Sequence, residues 1–199
     1  MAATLFYLCR YPHAYEKVTK EVRDHFNSAD EIHAGPILSS CKYLRACIDE
    51  TLRISPSAGS ALWREALKGG AAIDGIFIPE GYDVGVCVYA IQHNPAYYPD
   101  PFRYSPERWL SNDDSFKSAQ NAHTPFSIGP RGCIGKSLAI MELMMTIAMV
   151  VYIFDFKVAE GEEVIVHGPD GAMEQSDEFQ LKDHITAAKN GPVLQFRRR

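Results

Sequence analysis

The sequence predicts an α+β chain that is mostly helical, and three observations carry the prediction. Stretches with helical apolar spacing open the chain and recur at Pro12 to about Asn27 and Lys42 to Ile54. The most apolar stretch, Lys136 to Phe154, follows a glycine-rich loop. Alternating or β-branched segments are confined to the middle and the C-terminal end, too few and too short for a large sheet.

Ala2 to Arg10 reads as helix from its first residue. Pro12 sits at a favoured first helical position and begins a second helix, in which Tyr15, Val18, Val22 and Phe26 share a face and Glu16 and Lys20 can pair across a turn. Residues 27–38 form a polar connection. Ser39 or Ser40 can cap the helix from Lys42 to Ile54, which Pro56 stops. Within that helix Glu50 and Arg53 lie three residues apart, on one face and close enough for a carboxylate–guanidinium bridge. By spacing alone the simpler reading is an exposed surface pair worth under about 1 kcal/mol.

After Pro56 the pattern changes. Residues 71–79 and 82–88, with Pro79-Glu80-Gly81 between them, read as a hairpin. Arg64, followed directly by Glu65, reads as a strand-edge charge. Ala90 to Pro95 is a helical turn in which His93 makes a hydrogen bond. The Pro- and aromatic-rich run from Tyr97 to Trp109 is an ordered, irregular loop pinned by ring packing. Residues 111–122 are polar and read as a surface loop, with His123 a loop histidine beyond it. Beyond Phe154, strands are expected at 156–158, 164–166 and 185–196, the last with a turn at Asn190-Gly191-Pro192. Solvated acidic turns fall at 160–163 and 174–178, and Arg197 to Arg199 read as a solvated tail.

A chain of 199 residues with 46% hydrophobic and 23% charged content can bury a core, and its net charge of −5 argues against nucleic-acid binding. Five cysteines at 9, 41, 47, 87 and 133 form no CxxC and no even framework, which favours a reducing compartment. Seven histidines include no i, i+4 pair. The chain opens on no signal peptide, and the apolar run from Leu143 to Phe154 suits a core helix better than a membrane span of about 20 residues.

The loop Phe126-Ser127-Ile128-Gly129-Pro130-Arg131-Gly132-Cys133-Ile134-Gly135 carries the chemistry. It delivers one cysteine to a helix N-terminus, where free N–H groups favour a thiolate. Ionising an ordinary thiol at pH 7 costs roughly 2 kcal/mol, and a helix terminus offsets only about 0.3–1 kcal/mol. A metal closes that gap. Without a second Cys or His at zinc-ligand spacing, the fitting metal takes a single protein ligand, as haem iron does. Phe126 can lie against a flat cofactor and Arg131 can pair with a carboxylate on its rim. A structural cysteine in a tight turn fits the loop equally well.

This loop fills every fixed position of F-x-x-G-x-R-x-C-x-G and so resembles the signature of the cytochrome P-450 haem-thiolate family. Two further motifs stand in the expected order, Glu50-Thr51-Leu52-Arg53 and Pro106-Glu107-Arg108-Trp109. The resemblance implies that Cys133 ligates the iron of haem, with Phe126, Arg131, Gly135 and Arg64 at the cofactor. It implies too that Glu50, Arg53 and Arg108 form a buried structural triad, and that Ala58 to Leu62 line a substrate site. By family, the activity is monooxygenation of a small hydrophobic organic substrate, with electrons from an NADPH-cytochrome P-450 reductase, usually at the endoplasmic reticulum membrane. The resemblance reaches only the C-terminal part of a usual member, so residues 1–199 are expected to form a single partial domain. The A-G-x-D/E-T-T distal motif, the membrane anchor and most of the substrate pocket fall outside the match. The alternative expectation is a non-catalytic remnant that binds haem weakly or not at all, with a large exposed apolar surface. Haem-thiolate enzymes that rearrange peroxides rank last.

Overall fold

The structure, a computed structural model, describes residues 1–111, 113–161, 178–182, 184 and 186–199. Its helices are α1 (Ala2–Arg10), α2 (Pro12–His25), α3 (Pro36–Ser40), α4 (Lys42–Ile54), α5 (Val88–Gln92), α6 (Asp114–Ala122) and α7 (Lys136–Ile153). The strands form four antiparallel pairs: β1 (Arg64–Glu65) with β4 (Asp83–Val84), β2 (Ala71–Ile73) with β3 (Ile76–Ile78), β5 (Phe154–Val158) with β8 (Leu194–Arg198), and β6 (Leu181–Lys182) with β7 (Ala188–Lys189). The α+β, mostly helical class holds.

The core lies where α1, α2, α4 and α7 meet. Tyr7, Leu8, Tyr11, Val18, Leu44, Ile48, Ile147 and Val151 are fully buried there, each apolar side chain contributing roughly 1.5–3 kcal/mol. Helix α2 turns Ala14, Val18 and Val22 inward, while Lys20 pairs with Asp24 rather than with Glu16. Arg23 crosses from α2 to the far end of α7. Its Nε donates to the Val151 carbonyl at 3.0 Å, and one Nη to the Phe154 carbonyl at 3.3 Å and to Asp155 at 2.8 Å, satisfying carbonyls that a helix end leaves unpaired. By length and composition α7 is apolar enough to cross a membrane. One face, with Met144, Ile147, Ala148 and Val151, is buried in the core, whereas Leu138 and Met141 nearer its start are exposed.

Several expectations are corrected. Ser39 and Ser40 do not cap α4, because they end the short helix α3 and Ser40 donates to the Ile37 carbonyl. The cap comes from another helix. The two Glu21 carboxylate oxygens accept the Tyr43 and Leu44 N–H groups, each at 2.8 Å. The hairpin turns at Asp74-Gly75, not at 79–81: Asp74 (φ 48°) and Gly75 (φ 77°) are both left-handed, as a two-residue turn of type I′ requires, and residues 83–84 return to pair with β1. The polar stretch before His123 contains helix α6 instead of being all loop, because the Asp113 side chain caps it by accepting the Phe116 N–H at 2.9 Å. The C-terminal arginines are not a free tail. Arg197 and Arg198 lie in β8, and Arg197 pairs with Asp155 at 3.1 Å. Glu178 is buried rather than solvated. The strand expected at 164–166 and the acidic residues 162–163 and 174–177 lie outside the described residues.

Glu50 and Arg53 hold the centre, both wholly buried. One Glu50 oxygen accepts from Arg53 Nη2 (3.0 Å), the Ser105 N–H (2.9 Å) and Arg108 Nε (3.1 Å); the other accepts from Arg53 Nε (3.0 Å) and the Trp109 indole (2.9 Å). The remaining guanidinium donors of Arg53 reach the carbonyls of Gln92 (2.9 Å), Pro101 (2.7 Å) and Arg103 (3.3 Å). All five of its N–H donors are therefore engaged. The reading of Glu50 and Arg53 as an exposed pair fails on burial alone.

Glu21→Ala is expected to cost about 1–3 kcal/mol by stripping acceptors from two N–H groups at the start of α4, measured by urea unfolding; an unchanged midpoint would show that Glu21 is no cap. Glu50→Ala strands the buried Arg53 and removes a partner of the partly buried Arg108, and is expected to cost about 3–5 kcal/mol. Burial would raise the Glu50 carboxyl, but Arg53 and Arg108 outweigh it and bring the group down to about 2. Its contribution is thus present above the unfolded value near 4.5 and lost as pH falls through about 2. An unfolding midpoint with no decline over that window would contradict this ionisation.

Candidate functional site

The cysteine loop is shaped by backbone hydrogen bonds and by two residues in the left-handed region. The Cys133 N–H donates to the Phe126 carbonyl at 2.8 Å, closing the loop. Inside it, the Ser127 N–H reaches the Thr124 carbonyl and the Gly132 N–H the Gly129 carbonyl, both at 2.9 Å. Gly129 takes φ 70°, which glycine adopts freely; Ser127 takes φ 59°, which costs a side-chain-bearing residue of order 1–2 kcal/mol. Cys133 comes just before the N-cap region of α7, its carbonyl accepting the Lys136 N–H at 3.3 Å. A Cβ added to Gly135 would lie 3.8 Å from its sulfur, so the thiol stands beside the start of the helix. Both Cys133 and Ile134 are exposed.

Alongside runs a cleft of about 690 Å³ between the β-pairs and this loop. Leu62, Ile76, Val86 and Ile128 make its walls apolar, and Arg64 and Arg131 both line it. The Arg64 guanidinium donates to the carbonyls of Leu62 (3.4 Å) and Trp63 (2.7 Å). Among the described residues no carboxylate pairs with Arg64 or with Arg131. No three His, Cys, Asp or Glu side chains come together among them either, so any metal here would rest on few protein ligands. Cys133, exposed on the loop that forms one side of the cleft, the apolar walls, and two guanidiniums that pair with no carboxylate, although Asp74 also lines the cleft, fit a haem, whose ring is apolar and whose rim carries carboxylates.

The other expected residues are placed differently. Phe126 lines a separate cavity of about 220 Å³ behind the loop, with Trp109, Phe116, His123 and Lys136. His123 packs on the Trp109 ring, centroids 4.5 Å apart, and burial pushes its imidazole down to about 4. His93 sits within α5's last turn, its Nδ1 2.8 Å from the Tyr89 carbonyl, and burial lowers it to about 4 as well. The stretch from Ala58 to Leu62 divides: Leu62 faces the large cleft, whereas Gly59 and Ser60 line a third cavity of about 320 Å³ with Ser55, Tyr89 and Glu178. Glu178 there accepts from the Tyr89 hydroxyl at 2.8 Å. Sequence reasoning missed Trp109 as a Glu50 partner, Glu178, and the buried Gln92. A tryptophan directly after Arg108 gives no sign in sequence of where its indole N–H points.

Comparison with known proteins agrees with this geometry. The cytochrome P450 family model matches residues 1–182. Cytochrome P450 monooxygenase poxM of Penicillium oxalicum is 52% identical over 198 residues, covering 100% of this chain and 36% of the relative. A cytochrome P450 monooxygenase of Gibberella zeae is 50% identical, covering 100% of this chain and 46% of its own length. For apf8 of Gibberella fujikuroi the identity is 49%, over 98% of this chain and 54% of the relative. The chain thus spans between about a third and just over half of the curated relatives it matches. With the motifs of the cysteine loop and the buried ion network both in place, the chain belongs to the cytochrome P450 family.

Proposed function

We propose that the chain carries the thiolate half of a haem monooxygenase that inserts one oxygen atom of O2 into a small hydrophobic organic substrate. The observation behind this is the exposed Cys133 on a loop that also brings Arg131 to an apolar cleft shared with Arg64. Cys133 would hold the iron, and Arg131 and Arg64 the rim carboxylates. When bound, haem supplies oxygen activation, with electrons from an NADPH-dependent reductase. The chain's own residues bind and orient. The hydrogen bond from the Cys133 N–H to Phe126 fixes where the sulfur points, and Ile128 with Val86 keeps water from the cofactor edge. Gly59 and Ser60 leave room for substrate beside the third cavity.

A second reading rests on the exposure of Cys133 and Ile134: a chain that retains the loop yet holds haem weakly or not at all. One experiment separates the two. The chain is produced with haem, reduced with dithionite and exposed to CO. A strongly red-shifted Soret band is expected, and Cys133→Ser should abolish it; no haem uptake, or only an unshifted band, would leave the second reading standing. Arg131→Ala, by removing a charge-assisted contact, is expected to weaken haem retention by about tenfold or more, measured by transfer to a haem acceptor protein.

A further inference from the structure

We infer that Gln92 is a positioning residue for the cysteine loop, tying the root of that loop to the end of α4. Its side-chain amide is wholly buried and bonded on both sides. The NH2 donates to the carbonyls of Leu52 (3.1 Å) and Arg53 (3.0 Å), two of the groups that the C-terminus of α4 leaves without helical partners. The side-chain oxygen accepts the Thr124 N–H at 3.2 Å. The Gln92 backbone carbonyl in turn accepts from Arg53. One side chain therefore couples the buried ion network to residue 124.

What lies beyond Thr124 gives this bond its consequence. Among the described residues, three backbone bonds of the stretch from Thr124 to Cys133 close within it, Ser127 to Thr124, Gly132 to Gly129 and Cys133 to Phe126, and one leaves it, from the Lys136 N–H of α7 to the Cys133 carbonyl. The internal bonds set the loop's shape, and its place comes from its two ends. At one end stands α7; at the other, the root, Gln92 holds the Thr124 amide and His123 packs on Trp109, itself bonded to Glu50. A tertiary bond at residue 124 is transmitted to Cys133 because the loop is internally closed and moves as a body. Glutamine suits the position because only a primary amide offers two donors to adjacent carbonyls and an acceptor on the opposite side.

That the positioned group is an iron ligand rests on the proposed function; that the loop is positioned by Gln92 does not, and the test separates them. In the haem-free chain, amide hydrogen exchange is compared for the parent, Gln92→Met, which keeps the shape and loses the bonds, and Gln92→Glu, which keeps an acceptor for Thr124 but turns an oxygen toward the two α4 carbonyls. Because each variant breaks the tie to α4, both are expected to speed exchange across 124–133 by about tenfold relative to amides of α1 and α2. With haem and CO, Gln92→Met should move intensity from the red-shifted to the unshifted Soret band at temperatures where both proteins are folded. Exchange at 124–133 that is unchanged, or that rises equally in α1 and α2, overturns the inference. Should Gln92→Met not fold, unchanged exchange at 124–133 in Gln92→Glu overturns it as well. A parent without the red-shifted band refutes the haem reading, and the exchange comparison still decides the role of Gln92.

Discussion

A carboxylate buried without solvent must be surrounded by donors, and the constraint that Glu50 imposes runs through the whole molecule. Five donors from four positions meet its two oxygens, and Arg53 turns its remaining donors to two carbonyls of the irregular stretch after α5 and to one of α5 itself. Such a network gains little stability over a well-packed apolar core, since the Coulomb attraction mainly repays desolvation. Its effect is geometric. Segments rich in proline and aromatics have no regular backbone ladder to hold them, and here their carbonyls are held by one guanidinium. The ring stacking of Tyr7 on Tyr104, centroids 4.9 Å apart, fixes the same segment from the side of α1.

The cysteine loop shows the complementary strategy. It leaves its apolar side chains Ile128 and Ile134 exposed, so burial does not fix it, and its shape comes from closed backbone hydrogen bonds and left-handed residues. A loop built this way can present a thiol outward without collapsing over it. The exposed apolar residues near it, Ile128, Ile134, Leu138 and Met141, extend the same face along the start of α7. Together they form a surface whose apolar character suits a ring-shaped cofactor and further protein better than water.

The clefts and the core are thereby divided between different parts of the chain. Helices α1, α2, α4 and α7 supply the core, and the short β-pairs between Arg64 and Val84 supply one wall of the large cleft. The pairs are mostly exposed on both faces and owe their shape to turns and cross-strand bonds instead of burial. Arg64 lines that cleft from β1 and Arg131 from the cysteine loop, with Asp74 among the other lining residues. Two like charges, neither paired with a carboxylate among the described residues, are tolerated there because solvent screens both.

The sequence by itself determined what depends on near neighbours. Helices α1, α2, α4 and α7, the shared face of Glu50 and Arg53, the irregular stretch before Trp109 and the loop that presents Cys133 were all legible, because helical spacing and glycine-shaped turns act within a few residues. The Asp74-Gly75 turn and the Asp113 cap are just as local, but the Pro79-Glu80-Gly81 stretch and the polarity of residues 111–122 are competing signals of turn and loop beside them. Only the tertiary structure decided what crosses the chain. Glu21 caps a helix more than twenty residues away, Trp109 completes the shell around Glu50, Arg197 joins a strand, and Glu178 enters the interior. The physical reason is common to these cases: a charged or polar side chain looks the same in sequence whether it is solvated or paired. Which of the two it becomes depends on the donors and acceptors that folding brings within about 3 Å of it.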